Sequence, residues 1–279
     1  MAPPLTPFQS AVLAWAPSGW RELPWRRTRD PWAVLVSELM LQQTQAARVV
    51  PKWEAFMSRW PTPAACAAAP VAEVVRAWGG LGYNRRALNL HRCAQVVTSA
   101  FAGELPSDLT ALQALPGIGP YTGRAVLAFA FGADVGVVDT NAARVLARAV
   151  GGPRPAQETA DALVPRGQGW AWNQAVLDLG ATVCTARAPR CGVCPVAGLC
   201  TWRRRGGDDP FVRRPRPPAF AGSDRQARGR LLDALRAGPV RDVPVGCGLS
   251  GDPERAARIA DGLVSDGFAR WDGPALTLT

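Results

Sequence analysis

The stretch CTARAPRCGVCPVAGLC, residues 184–200, constrains the fold more than any other part of the chain. It sets Cys184, Cys191, Cys194 and Cys200 in a C-x6-C-x2-C-x5-C array. The middle pair is close enough to grip one metal centre, and short loops must bring the outer two thiols to it. A disulfide framework is disfavoured in a chain that shows no secretion signal. The array therefore predicts either a structural zinc site with four thiolate ligands or a [4Fe-4S] cluster, and spacing alone leaves both open. Cys66, Cys93 and Cys247 are scattered and read as buried small hydrophobes.

The periods around that centre are helical. The 279 residues, 48% hydrophobic and 19% charged, suffice for a sizeable core in two or three domains. Helical patterns run through FQSAVLAWAPSGW, AARVVPKWEAFMSRW, VAEVVRAWGG, RRALNLHRCAQVVTSAFAG, DLTALQAL, TGRAVLAFAFG, TNAARVLARAVGG and WAWNQAVLDLGATVC. In DPWAVLVSELMLQQ, Asp30 is placed to cap a helix that Pro31 begins. Strand signals are scarce before residue 265 and no internal repeat is visible, so the main body is expected to be all-α.

After the cysteines the composition changes. RRRGGDDPFVRRPRPPAFAGSD is rich in Arg, Pro and Gly, and residues 203–223 read as a basic linker. Residues 224–279 carry two helical periods and then FARWDGPALTLT, where alternating apolar residues flank an Asp-Gly turn. Two helices and a terminal hairpin predict a small winged-helix-like unit.

A net charge of +10 points to a polyanionic partner, because clustered cations gain affinity by releasing counterions from phosphates. An arginine-rich genome is the competing explanation. Of 32 lysines and arginines only Lys52 is a lysine, so chemistry that needs an amine has one candidate. No apolar run reaches the length of a membrane span, and MAPPLTPFQS lacks the basic-then-apolar order of a signal peptide. A cytoplasmic, nucleoid-associated protein with no membrane partner is expected.

Two carboxylates stand out. Glu38 shares a helix face with Val34, Leu35 and Leu41, where burial pushes a carboxyl toward its protonated form. Asp139 precedes a helix, where free N–H groups and the helix dipole are expected to keep it ionised. Carboxyls pushed in opposite directions suit acid-plus-anion chemistry at a glycosidic bond. Between them LPGIGPYTGRAV places Gly117 and Gly119 in a turn whose exposed N–H groups are suited to a phosphate oxygen. Arg85 and Arg86 read either as further phosphate contacts or as a solvated helix face. His91, the only histidine, reads as a packing or DNA-backbone residue.

In order along the chain, LPWRRTRDPWAVLVSELMLQQTQ, WGGLGYNRRALNLH, LPGIGPYTGRAV, VVDTNAARVLARAV, NQAVLDLGATVC and the cysteine array resemble the helix-hairpin-helix DNA glycosylases. The resemblance is closest to the A/G-specific adenine DNA glycosylase (MutY) family, and it covers roughly residues 8–202. It implies two helical domains with DNA held between them. One is a six-helix barrel bearing the hairpin, residues 28–135; the other is a cluster domain, residues 1–27 plus 136–202, in which the four cysteines hold a [4Fe-4S] cluster. It implies a flipped adenine, with Glu38 as the general acid at N7 and Asp139 stabilising the oxocarbenium-like sugar, electrostatically or through a transient covalent bond. Tyr121 assists these steps, Trp25, Arg26 and Gln174 line the adenine pocket, and Gln43 and Tyr83 wedge into the duplex.

The endonuclease III branch places a catalytic lysine after P-G-x-G-x, where this chain has Tyr121. The resemblance thus implies a monomeric, monofunctional glycosylase that removes adenine mispaired with 8-oxoguanine or guanine from double-stranded DNA and leaves an abasic site. Most members add a larger Nudix-like C-terminal domain that reads 8-oxoguanine, and the short tail here does not match it. A glycosylase for thymine or uracil opposite guanine is a second reading. A non-catalytic DNA-binding iron-sulfur protein is a third, under which Glu38→Gln would leave function intact.

Overall fold

Asp30 caps its helix as the sequence predicts. In the computed structural model, which describes residues 4–152, 157–211 and 219–279, its carboxylate accepts from the backbone N–H groups of Trp32 (3.1 Å) and Ala33 (3.3 Å). The helix Pro31–Leu41 follows. Helices continue along the chain, and the only strands among the described residues are a terminal pair, Ala269–Asp272 and Ala275–Leu278. None of these helices is long and apolar enough to cross a membrane.

The chain divides into two compact units, residues 1–38, 106–114 and 118–215 in the first and 39–105, 115–117 and 216–279 in the second. In the first, the helix Pro7–Gly19 packs along Gly169–Thr182, which also packs against Thr140–Val150 and Pro120–Phe129. A capping box starts Pro7–Gly19: Thr6 Oγ1 accepts from Gln9 N, and Gln9 Oε1 accepts from Thr6 N at 2.8 Å. Gly180 permits the closest of these approaches, since a Cβ there would lie 2.7 Å from the carbonyl oxygen of Asn141.

In the second unit, Pro63–Ala68 and Val71–Ala77 pack against Arg85–Ala100, burying Cys66, Val74, Leu90 and Cys93. His91 is a packing residue, its Nε2 lying 2.9 Å from the Ala69 carbonyl oxygen. Three helices, Asp224–Ala237, Val243–Cys247 and Pro253–Ser265, precede the hairpin, in which Ala269 pairs with Leu278 and Asp272 with Ala275. Val240 and Leu276 exchange backbone hydrogen bonds of 2.9 and 2.8 Å, adding a short third edge. Residues 224–279 cluster with 39–105: Arg236 donates from Nε to the Val75 carbonyl (3.1 Å) and from Nη2 to Asn84 Oδ1 (2.6 Å).

The segment 203–223 is only partly the linker that its composition predicts. Residues 203–205 complete the helix Thr201–Arg205, and Asp209 pairs with Arg148 at 2.5 Å. Residues 212–218 of that segment lie outside the described residues.

Candidate active site and cysteine centre

The first unit brings together Glu38, Tyr121 and Asp139. Glu38 sits near the end of Pro31–Leu41 and is 5% exposed, with Val34 and Leu35 equally buried and Leu41 half-buried. Burial raises its carboxyl from 4.5 to about 7; Asp139 adds to the rise, while Tyr121 and the charge of Arg26 oppose it. Tyr121, in the first turn of Pro120–Phe129, donates its hydroxyl to the Glu38 carboxylate. Burial and the two carboxylates hold that phenol well above its ordinary range, so it is a neutral donor.

Asp139 caps Thr140–Val150: Oδ1 accepts from Ala142 N at 2.7 Å, and Oδ2 accepts from Asn141 Nδ2 at 2.9 Å. The expectation that a cap would only depress this carboxyl is corrected here. Burial raises it above its ordinary value, although the bonds from Ala142 and Asn141 and the charge of Arg144 pull it down. Both carboxyls are therefore raised. They differ in what opposes burial: Asp139 has N–H donors from Ala142 and Asn141 and the charge of Arg144, and Glu38 has one phenol and the charge of Arg26.

Asn141 is itself held. Its Oδ1 accepts from Arg144 Nη2 (2.8 Å), and Arg144 also donates to the carbonyls of Gly180 and Cys184, both at 2.7 Å. Replacing Gly180 by alanine is expected to force Asn141 away, because the new Cβ would meet Asn141 backbone and side chain at 2.7 Å. We expect a stability loss of about 1–3 kcal/mol, as for overpacking generally, and a slower chemical step as Asp139 loses its support. Thermal unfolding and single-turnover rates measure the two effects.

Sequence reasoning missed Asp178, which carries no local signal in WAWNQAVLDLGATVC. It is fully buried on Gly169–Thr182 and binds Arg26 through both oxygens (2.6 and 2.9 Å) and Arg21 through Nε (2.5 Å) and backbone N (3.0 Å). Burial pushes its carboxyl up, but the hydrogen bonds and charge of Arg26, reinforced by Arg21, outweigh that and leave it below the usual range. Arg26 is thus oriented by Asp178. Trp25 is buried beside it in the chain, and Gln174 is 5% exposed on Gly169–Thr182.

Of the remaining predicted residues, Gly119 belongs to the first unit and Gly117, Gln43, Tyr83, Arg85 and Arg86 belong to the second. Gly117 has φ of +82°, a turn that only glycine adopts at ease, and a Cβ there would lie 2.7 Å from Asn89 Cβ. Gly119 is extended and caps Pro120–Phe129. Gln43 and Tyr83 adopt φ of 57° and 46°, left-handed conformations rare for non-glycine residues and concentrated at functional sites. Arg85 is exposed and pairs with Asp266. Arg86 corrects the phosphate-contact reading. It is 7% exposed, and its guanidinium donates to the carbonyls of Leu39 (2.5 Å), Met40 (2.9 Å), Gln42 (2.6 Å) and Gly82 (2.9 Å). Burial lowers it to about 10, and its N–H groups close the end of the Pro31–Leu41 helix rather than face solvent.

The four array cysteines line one pocket with Arg148, Val196 and Trp202. Cys184 follows the helix Gly169–Thr182, Cys191 and Cys194 bracket a single 3₁₀ turn, and Cys200 precedes Thr201–Arg205. Among the described residues no three His, Cys, Asp or Glu side chains gather as for a single ion. The four thiols line one pocket together, a donor set that suits an iron-sulfur centre. Arg148 donates to Cys184 Sγ at 3.3 Å and to the Thr185 carbonyl at 2.8 Å, supplying positive charge beside a thiolate site.

Comparison with known proteins agrees with this geometry. A model of the HhH-GPD superfamily of base excision DNA repair proteins matches residues 36–165, and one of the iron-sulfur binding domain of endonuclease III matches 184–200. The latter resolves the choice left open by spacing: the chain carries a [4Fe-4S] cluster. An adenine DNA glycosylase of Mycolicibacterium smegmatis is 47% identical over 92% of this chain and 90% of its own length. A thymine/uracil-DNA glycosylase of Pyrobaculum aerophilum is 38% identical over 72% of this chain and 93% of its own. The solved structure of a thermostable thymine-DNA glycosylase superposes with a TM-score of 0.68 at 32% identity, covering 71% of this chain and 96% of that one.

Proposed function

Because the chain belongs to the adenine DNA glycosylase family within the HhH-GPD superfamily, we propose that it flips a mispaired adenine out of duplex DNA and hydrolyses its N-glycosidic bond. One observation carries this reading: a buried carboxyl, Glu38, whose pKa of about 7 leaves it substantially protonated at neutral pH, beside a second carboxylate. Glu38 delivers its proton to N7 of the departing base, and the Tyr121 hydroxyl fixes the orientation of that carboxyl. Asp139, anchored by Ala142 N and Asn141, presents an oxygen to the cationic sugar.

The Gln174 amide suits the paired donor and acceptor of the adenine Watson–Crick edge, N6 and N1, which leaves N7 to Glu38. Trp25 supplies an apolar wall and Arg26, locked by Asp178, a fixed cation. Gln43 and Tyr83 enter the duplex, and the backbone at Gly117 and Gly119 receives a phosphate. Cys184, Cys191, Cys194 and Cys200 ligate the cluster, which supplies a structural centre when bound. The enzyme acts as a monomer and leaves an abasic site.

The similarity to a thymine/uracil-DNA glycosylase supports a second reading, excision of thymine or uracil opposite guanine. Duplexes with A opposite 8-oxoguanine, A opposite G, T opposite G and U opposite G, each treated with alkali after incubation, separate the two. Breaks in the adenine strand are expected; breaks confined to the thymine or uracil strand would overturn adenine excision.

The lysine count adds a further expectation. Lys52 lies in the second unit with Nζ 3.5 Å from the Ala77 carbonyl, whereas Glu38, Tyr121 and Asp139 belong to the first. Borohydride should trap no efficient covalent DNA adduct, and efficient trapping would refute a monofunctional mechanism.

A further inference from the structure

Directly after Cys200 the helix Thr201–Arg205 ends, and Gly206 and Gly207, with φ of +71° and +83°, turn the chain back on itself. The Trp202 indole N–H donates to the Gly207 carbonyl at 3.2 Å, which closes the turn. Beyond it Asp209 reaches Arg148, 61 residues earlier, and accepts from Nε (3.0 Å) and Nη2 (2.5 Å), one bond to each carboxylate oxygen. The backbone N–H of Phe211 donates to the same carboxylate at 3.0 Å, and the Phe211 ring lies 5.7 Å from the guanidinium carbon of Arg144. Residues 201–211 thus form a strap tied down at both ends.

The strap is fastened to the cation beside the cysteines. Arg148 and Trp202 line the pocket with the four thiols, and the Arg148 guanidinium carbon lies 4.8 Å from the Trp202 ring. Arg148 Nη1 donates to Cys184 Sγ (3.3 Å) and to the Thr185 carbonyl (2.8 Å). The Arg148 side chain is 2% exposed and that of Asp209 26%, so the pair is shut away from water on the arginine's side. A carboxylate that grips a guanidinium through both oxygens fixes its plane, and with it the direction of the N–H that points at sulfur. Hydrogen bonds to the sulfurs and the net charge around them set how readily an iron-sulfur centre takes up an electron.

We propose that residues 201–211 are a strap closed over the cysteine pocket and that Asp209 is its latch, a positioning residue that acts through Arg148 on Cys184. The latch has two effects. It holds the Trp202 wall in place, which slows loss of the cluster, and its negative charge offsets that of Arg148, which keeps the cluster harder to reduce. The proposal concerns the [4Fe-4S] centre alone and stands whichever base the enzyme removes. It also gives a function to an acidic residue set in the basic segment after the cysteines.

The test uses the full chain loaded with its cluster and free of DNA. Cluster loss is followed by the decay of visible absorbance in the presence of a ferrous-iron chelator, and the reduction potential by protein-film voltammetry. Asp209→Ala should lose its cluster about tenfold faster than wild type, in keeping with the effect of residues that hold a metal ligand from behind. Asp209→Glu, which keeps the charge and both oxygens, should recover most of the lifetime. Asp209→Asn keeps the shape and removes the charge. Its potential should move to a more positive value, because the reduced cluster carries one more negative charge and Arg148 then faces it unopposed. Asp208→Asn changes the net charge equally at an exposed neighbour and should leave both readings at wild-type values. Cluster loss at the wild-type rate in Asp209→Ala would overturn the strap. A potential that moves equally in Asp208→Asn and Asp209→Asn, or in neither, would overturn the action through Arg148, since a merely structural Asp209 speeds cluster loss without touching the potential. Should Asp209→Ala fail to fold or to load, the potential of Asp209→Asn decides alone.

Discussion

Glu38→Gln should reduce adenine excision by about a thousandfold, within the range for loss of a general acid, while leaving DNA affinity nearly unchanged. The amide keeps the size and polarity of the side chain but has no proton to give. A non-catalytic role predicts unchanged function, so single-turnover excision alongside duplex binding separates the two. The wild-type rate should fall about tenfold per pH unit above about 7, where the Glu38 proton is lost. In Glu38→Gln that dependence should vanish.

The same substitution has a stability signature whose sign follows from linkage. The carboxyl titrates at 4.5 when unfolded and at about 7 in the fold, so the folded state binds the proton more tightly. Its favourable contribution is complete below pH 4.5 and is lost as pH rises through 7, at about 1.4 kcal/mol per unit of displacement, or about 3 kcal/mol in all. Glu38→Gln carries no such charge. Its stability relative to wild type should therefore rise between pH 5 and 8, measured by denaturant midpoints in unloaded and loaded protein alike. A pH-independent difference would mean that Glu38 is not the titrating group.

Asp178→Asn should be the more damaging change to the fold. Asp178 is wholly buried and neutralises Arg26, itself only 10% exposed, and Arg21. Removing one member of a buried pair leaves an uncompensated charge at a cost of about 3–5 kcal/mol. For a domain of this size that corresponds to a drop of roughly 10 °C in Tm. Because the Asp178 carboxyl is held below its ordinary range, the stability it contributes is present above the unfolded pKa and is lost as pH falls through the folded one. Wild type should therefore lose this advantage over Asp178→Asn in acid. A variant as stable as wild type at neutral pH would show that the two arginines are solvated without their partner. Arg26→Ala is the companion change: it removes a charge that lowers the Glu38 carboxyl, and should move the high-pH limb of the activity profile to higher pH.

Some of this was legible in the chain and some was not. Asp30 and Pro31 announced their helix because a cap acts on N–H groups two and three residues away. The unpaired position of Glu38 among Val34 and Leu35 announced its raised pKa, since those neighbours lie on the same helix face. Asp139 was read correctly as a cap and incorrectly as a depressed carboxyl: the cap is local, but the burial that outweighs it comes from packing. Arg86 looked like a surface cation at the start of a helix, yet it reaches back to carbonyls 44 to 47 residues earlier. The basic composition of residues 203–211 likewise hid Asp209, whose partner Arg148 is 61 residues away.

The sequence by itself determined the helical class, the helix starts, the cysteine spacing and the near absence of lysine, because each depends on residue types within one or two turns of each other. Tertiary structure alone decided which carboxyl keeps its proton, which arginines remain available and where the tail attaches. Those outcomes depend on desolvation and on partners such as Arg26 and Asp178, 152 residues apart, that no local pattern connects.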